Sequence, residues 1–570
     1  MTERHLSGLP AAEGTAVGRA LVLRDIEVDL SGRGGEVEQQ RALAALASLA
    51  AELGESADRL RAEGHVEEAD IFEANRLMAE DPALAEEVLA LAQETSAAGA
   101  VLQATERHAQ KLEEIEDAML AARAADVRSL GVRAARLLTG APATGAASLR
   151  PTILIARDLG PVDIADLNLA AGRIRGLALA AGAATSHAAI MARALGVPLV
   201  VGLGDEILEA AEGDPVVLDG QAGTATLEPS QELLDDSLRE VHRRRRRRRE
   251  LAGERTLPAV TRDGRRIRLL CNAGTAAEVA AGLAAGAEGV GLLRTELAFL
   301  EASDWPTQDE HAAALAPALS LLPGRIATVR TLDFGADKTP PFLAGVRERG
   351  LALTLRYPEA FAAQLRAIVS SGSTTALRVL LPMVASAEEL RSVRAVLEQD
   401  HAGPMPQLGA MIETPEAAGR ADEIAAEADF LSIGTNDLVQ YTLGLDRERP
   451  LATVQAAADP DVLRCISQVV AAARKRGLAV EVCGEAAGDP ELVALLVGLG
   501  VDELSVSPAR LDEVRATIRG LSARVAREAA AHALDAQSAR QSLAFAAGAL
   551  SVEPGNERDE VVDGRGGLVA

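Results

Sequence analysis

The sequence predicts a multidomain α/β protein in which an α/β domain with an inserted helical bundle is followed by a (β/α)8 TIM-type barrel. Three observations carry this. At 570 residues the chain is too long for one ordinary core. Residues 35–138 repeat apolar positions at spacings of three and four, the period of helices packed into a bundle. From about residue 262 to 520, eight apolar runs alternate with helical patterns, which is how a parallel barrel is written in sequence.

Residues 1–24 hold a short strand pattern, GTAVGRALVL, too small to fold alone. Residues 25–144 form the helical domain. In residues 145–228, PTILIARDL, RGLALAAGA, PLVVGLG and DPVVLDG alternate with helical segments. The early strand is expected to join this unit, which makes the bundle an insertion. Residues 229–260 read as a charged helical linker containing the arginine run Arg243–Arg249. Its acidic neighbours and helical pattern favour a solvated linker over a nucleic-acid or membrane patch. The barrel occupies residues 261–535, and residues 541–570 read as a disordered tail.

Composition excludes several classes. A net charge of -26 disfavours nonspecific binding to nucleic acid or anionic membrane. Aromatic residues at 2% leave little for base stacking. Cys271, Cys465 and Cys483 form no CxxC pair and read as free thiols of a reducing compartment. With no apolar run of transmembrane length and no apolar signal core, a cytoplasmic protein is expected.

The stretch TSHAAIMARALGVP, Thr185–Pro198, carries the first chemistry. Thr185 and Ser186 are favoured N-cap types, and AAIMARAL is rich in helix formers. His187 therefore falls in a helix's first turn, where free N–H groups and the positive end of the dipole stabilise an added anion. A neutral imidazole nitrogen there could accept a phosphoryl group; a capping or packing histidine is the alternative.

The barrel carries the second. Its strand ends present Asn272, Arg294, Arg330, Met383, Glu413, Asn436 with Asp437, Cys483 with Glu485, and Ser505 with Ser507, on the face where barrel active sites are built. Paired arginines could clamp a phosphate and a carboxylate. Glu413 and Asp437 could hold Mg²⁺ through hard oxygen ligands. Together they specify a small, multiply anionic substrate. A rim salt bridge explains any one of these residues, but not a set at successive strand ends. Cys483, followed by GEAAGD at the open face, reads either as a small core residue or as a proton-transfer group.

With these residues in hand, the chain from about residue 5 to 535 resembles enzyme I of the bacterial phosphotransferase system, the phosphoenolpyruvate-protein phosphotransferases. The matching stretches are TSHAAIMARALGVPLVVG, GVGLLRTE, VRTLDFGADK, MIETPEAA, SIGTNDLVQYTLGLDR and CGEAAGD. The resemblance implies a phosphotransferase that passes the phosphoryl group of phosphoenolpyruvate to His187 and then to the phosphocarrier HPr, releasing pyruvate as the first step of sugar uptake. It implies that Arg294, Arg330, Arg447, Asn436 and Asp437 bind phosphoenolpyruvate, with Lys338 a further cation on the substrate side. Glu413 and Asp437 match Mg²⁺ ligands, Cys483 the proton donor, and Arg349 a further family arginine. The α/β domain becomes a phosphohistidine domain, the helical insertion the docking domain for HPr, and the barrel a homodimer interface. The chain departs from the family at residues 180–184, AAGAA, where an acid and one glycine are missing, and at Ala352, where a second arginine is common. The competing readings are a phosphoenolpyruvate synthase or dikinase, for whose ATP-grasp domain residues 1–150 leave no room, and a regulatory relative without turnover.

Overall fold

The computed structural model describes the chain outside residues 1–2, 24–33, 64–65, 114–117, 140–150, 160–172, 183–187, 190–191, 194–195, 301, 336–338, 401–404, 446–453 and 553–570. It falls into two compact units, Met1–Arg247 and Arg248–Ala570. Among the described residues no helix is long and apolar enough to cross a membrane.

The first unit contains an eight-stranded sheet made of β1 (Arg4–Ser7), β2 (Leu9–Ala12), β3 (Thr15–Leu23), β4 (Thr152–Ala156), β5 (Ile174–Leu179), β6 (Leu199–Val201), β7 (Pro215–Asp219) and β8 (Thr224–Leu227). The order is β1-β8-β7-β3-β4-β5-β6-β2. The β3 to β6 pairs at its centre are parallel, whereas β7, β8, β1 and β2 join antiparallel. Strand β4, TILIA, is buried along its whole length because both faces of a central parallel strand are covered. Leu154 and Ala156 face one core with Leu177, Leu179 and Val201; Ile153 and Ile155 face another with Ala178, Val216 and Leu218.

Between β3 and β4 the described residues make five helices, α1 (Glu36–Glu63), α2 (Val66–Ala79), α3 (Pro82–Ala92), α4 (Ala97–Glu113) and α5 (Ala118–Thr139). Ala42, Leu46, Leu49, Leu53 and Ala57 of α1 lie on one face and are buried against residues such as Phe72, Val88, Val101 and Leu130. Helix α3 begins where Asp81 accepts from the Ala83 N–H and Pro82 takes the first helical position. The arginine run lies on α6 (Gln231–Gly253), with Arg243–Arg249 exposed.

The second unit is built on a closed, all-parallel barrel of β9 (Arg268–Ala273), β10 (Gly289–Leu293), β11 (Ile326–Arg330), β12 (Ala376–Leu381), β13 (Gln407–Ile412), β14 (Phe430–Ile433), β15 (Ala479–Val482) and β16 (Glu503–Val506). These are the eight apolar runs of the sequence. Leu292, Leu380, Met411, Phe430 and Cys483 plug its centre. Below that plug Glu503 is held by Arg378, at 2.6 Å, and by Arg268. The Arg378 guanidinium also lies over the Phe430 ring, 4.9 Å from its centroid.

The expectation of a tail from residue 541 is corrected at its start. Ala539–Ser551 is a helix whose N-cap Ser538 accepts from the Gln541 N–H, and its Ala546 and Ala549 are buried in the barrel core. Residues 553–570 lie outside the described residues.

One buried histidine gives this unit an acid sensitivity. His311 follows the Thr307–Glu310 capping box and packs edge-on against Phe299, 4.9 Å between centroids. Burial lowers its pKa from 6.5 to about 4. The unfolded chain therefore takes up a proton below about 6.5 that the folded chain refuses, so stability falls as pH drops through that window. From about pH 7 to about pH 5 the native protein should lose about 2 kcal/mol on this account. His311→Leu should lack that component in thermal or urea unfolding; an equal pH slope in both proteins would contradict it.

Candidate active site

At the C-terminal ends of the barrel strands lies a cavity of about 400 Å³, lined by Arg294, Arg330, Arg349, Glu413, Asp437 and Cys483 among others. Apart from Arg349, each of these polar residues is delivered by a strand end or the turn after it, because the preceding strand is buried and runs out at this face.

Arg330 ends β11 and is 6% exposed. Its guanidinium donates to Glu296 at 2.6 Å and pairs with Asp333 at 3.0 Å. Burial opposes its charge, but Glu296 and Asp333 more than offset that and hold its pKa above the usual arginine value. Arg349 reaches from the loop after β11 to Asp437, at 3.0 Å, and to Asp333, at 3.6 Å. Arg294 follows β10, its N–H donating to the Ala273 carbonyl at 2.8 Å. Its side chain is exposed and pairs with none of the described residues, so it offers the cavity an uncommitted cation.

Glu413 follows β13 and is 2% exposed. Its Oε2 accepts from the Met383 N–H at 2.8 Å. Met383 is held at a φ of 54°, a left-handed conformation that costs a non-glycine residue energy and turns that N–H inward. Burial, then the negative charges of Asp333 and Asp437, push the Glu413 carboxyl up to about 8. Gly434 is required beside it, since a Cβ there would come within 2.6 Å of Glu413 Oε1. Asp437 sits in the first turn of Thr435–Leu443, while Asn436 Oδ1 accepts from the Glu485 N–H at 3.0 Å and so ties two cavity loops together.

Cys483 follows β15, its thiol 3.8 Å from the Ile433 carbonyl and accepting from Ser432 Oγ at 3.4 Å. Burial, then the carboxyl of Glu481, push it up to about 12, so it is a thiol and not a thiolate. Asn272 Nδ2 donates to the Cys483 carbonyl at 3.0 Å, and Ser505 Oγ donates to Asn272 Oδ1 at 2.7 Å.

The cavity thus brings together Arg294, Arg330, Glu413, Asn436, Asp437 and Cys483, all singled out in the sequence. Asn272, Met383 and Ser505 support the site from behind. Glu296 and Asp333 escape a sequence reading because their place is fixed only by pairing with Arg330; their nearness to it in GVGLLRTE and VRTLD is the available clue. His187, Lys338 and Arg447 lie outside the described residues. The helical residues just after His187 are anchored: Ala188, Ala189 and Ala192 are buried on the sheet core with Leu177 and Leu179.

Three family models match the chain in order. Residues 7–123 match the family described as PEP-utilising enzyme, N-terminal; residues 149–223 match its mobile domain; residues 248–523 match its PEP-binding domain. A multiphosphoryl transfer protein of Xanthomonas campestris pv. campestris is 37% identical over 562 residues, covering 95% of this chain and 66% of that protein. One from Rhodobacter capsulatus is 40% identical over 465 residues, covering 79% of this chain and 56% of that protein. The chain therefore spans between half and two thirds of the length of these relatives. A phosphoenolpyruvate-protein phosphotransferase of Staphylococcus carnosus is 33% identical over 543 residues, covering 91% of this chain and 94% of that protein. Three domain matches in order, and a relative matched along nearly its whole length, mean that the chain belongs to the phosphoenolpyruvate-protein phosphotransferase family.

Proposed function

We propose that this protein transfers the phosphoryl group of phosphoenolpyruvate to its own His187 and then to HPr, releasing pyruvate at the head of a sugar-uptake chain. The observation that carries the reading is the barrel-end cavity, where arginines face buried carboxylates beside a neutral thiol. Phosphoenolpyruvate carries a phosphate and a carboxylate, and guanidinium forks suit both. Arg294, free of described partners, and Arg330 and Arg349, already oriented by Asp333, bind it, with Asn436 shaping the rim. Arg447 and Lys338 join this set by resemblance.

The carboxylates suit a divalent cation. Glu413 and Asp437 crowd negative charge at one edge of the cavity, and that crowding with burial is what drives the Glu413 carboxyl upward. Mg²⁺ held by these two would neutralise charge on the phosphoryl group.

His187, neutral, attacks phosphorus; the phosphorus–oxygen bond breaks and its electron pair stays on the departing enolate. The arginines stabilise that enolate. Cys483 then gives its Sγ proton to the enolate's terminal carbon, forming pyruvate, and the thiolate regains a proton from solvent. HPr docks on the helices α1 to α5. The barrel forms a homodimer, and the protein works in the cytoplasm.

Purified protein with phosphoenolpyruvate, Mg²⁺ and HPr is expected to release pyruvate and leave an acid-labile phosphate on HPr. Pyruvate without phosphorylated protein, or no pyruvate at all, would overturn the assignment.

A further inference from the structure

Glu481 lies inside the barrel and the reaction described above does not use it. It is 1% exposed, and neither carboxylate oxygen has a hydrogen-bond partner among the described residues. Alternation along β15 puts it on the same inward face as Cys483, one step deeper, about 6–7 Å along the strand. Its Oε1 and the Ser505 Oγ crowd the same spot: a Cβ on Gly291 of β10 would lie 2.7 Å from the first and 2.6 Å from the second. Gly291, having no side chain, leaves a gap that both oxygens border.

The direction of the neighbouring hydrogen bonds decides what Glu481 must be. Ser505 spends its single hydroxyl proton on Asn272 Oδ1, and the Asn272 amide is thereby turned to donate to the Cys483 carbonyl. Ser505 can then offer Glu481 only lone pairs, which a carboxylate repels and a carboxylic acid can bind. Glu503 on β16, Arg378 on β12 and Cys483 on the same strand are the charged or titratable groups around it. Arg378 and Arg268 on β9 are both committed to Glu503. Burial first, then Glu503, raises the Glu481 pKa well above the ordinary carboxylate value. Burial, the nearby Glu503 and a neighbour that offers only lone pairs all favour the acid form.

We propose that Glu481 is a positioning residue for Cys483, its carboxylic proton donated to Ser505 and so completing a buried chain through Asn272 to the Cys483 backbone. The inference rests on Cys483 being the proton donor, and on Glu481 remaining neutral through turnover. Alkaline ionisation of Glu481 would break the chain and set a negative charge beneath the thiol.

The test uses the full chain with phosphoenolpyruvate and Mg²⁺. Glu481→Gln, whose amide can still donate to Ser505, should keep kcat near neutral pH and flatten the alkaline fall of the rate profile. Glu481→Leu, which cannot donate, should lower kcat about tenfold or more at every pH with KM unchanged. Infrared difference spectra between native protein and Glu481→Gln should show the loss of a protonated carboxylic C=O band at neutral pH. Absence of that band, or an unchanged kcat in Glu481→Leu, overturns the proposal. Cys483→Ser separates the two readings: unchanged turnover there removes the proton donor, whereas the infrared band reports Glu481 independently of activity.

Discussion

His187→Ala protein mixed with phosphoenolpyruvate and Mg²⁺ is expected to gain no acid-labile phosphate and to pass none to HPr. The expectation comes from position as much as from residue type. Thr185 and Ser186 are N-cap types, and the helical residues that follow are pinned on the sheet through Ala188, Ala189 and Ala192. N-cap types followed by helix formers predict that residue 187 falls in a helix's first turn, where backbone N–H groups and the helix dipole would favour a bound phosphoryl group. No neighbouring side chain in this stretch can replace it as a nitrogen nucleophile. Alanine is a strong helix former, so thermal unfolding should shift by no more than about 1 kcal/mol. Loss of label with unchanged unfolding assigns the residue to chemistry. Labelling equal to the native protein would remove His187 from the reaction.

Arg330→Met should damage stability and activity together. The guanidinium holds Glu296, 0% exposed, and Asp333, 4% exposed, by short ion pairs. Removing it takes the ion pair from buried Glu296 and leaves buried Asp333 with Arg349 at 3.6 Å, which should cost about 3–5 kcal/mol in urea unfolding. It should also raise KM for phosphoenolpyruvate steeply, because a substrate-binding guanidinium is lost and Asp333 then draws on Arg349 alone. Arg294→Ala provides the contrast. That side chain is exposed and pairs with none of the described residues, so its loss should change stability by less than about 0.5 kcal/mol while still weakening substrate binding. If Arg330→Met unfolds like the native protein, the buried pairs are not what anchors the cavity.

Much of this fold is legible in the sequence, for a local reason. A strand covered on both faces must be largely apolar, so TILIA and FLSI show themselves without reference to anything distant. The strand ends follow from the runs, and with them Arg294, Arg330, Glu413, Asn436, Asp437 and Cys483. The C-terminal helix was not legible. Residues 539–551 are alanine-rich and their apolar contrast is weak, so only docking of Ala546 and Ala549 on the barrel core reveals the helix. Glu296 and Asp333 were missed because an acid in a loop looks the same whether it faces water or an arginine.

The sequence by itself determined the order of elements, the closure of eight strands and the residues at their ends, since apolar period and turn chemistry are properties of neighbouring residues. Only the tertiary structure decided the state of the glutamates. Glu413, Glu481 and Glu503 all belong to or follow buried strands, yet the first is pushed up to about 8, the second is held well above the carboxylate range, and the third is gripped by two arginines. Arg378 reaches Glu503 across 125 residues of chain, and Asp333 raises Glu413 from another strand end. Protonation follows the field of groups brought close by folding, and no local pattern encodes that field.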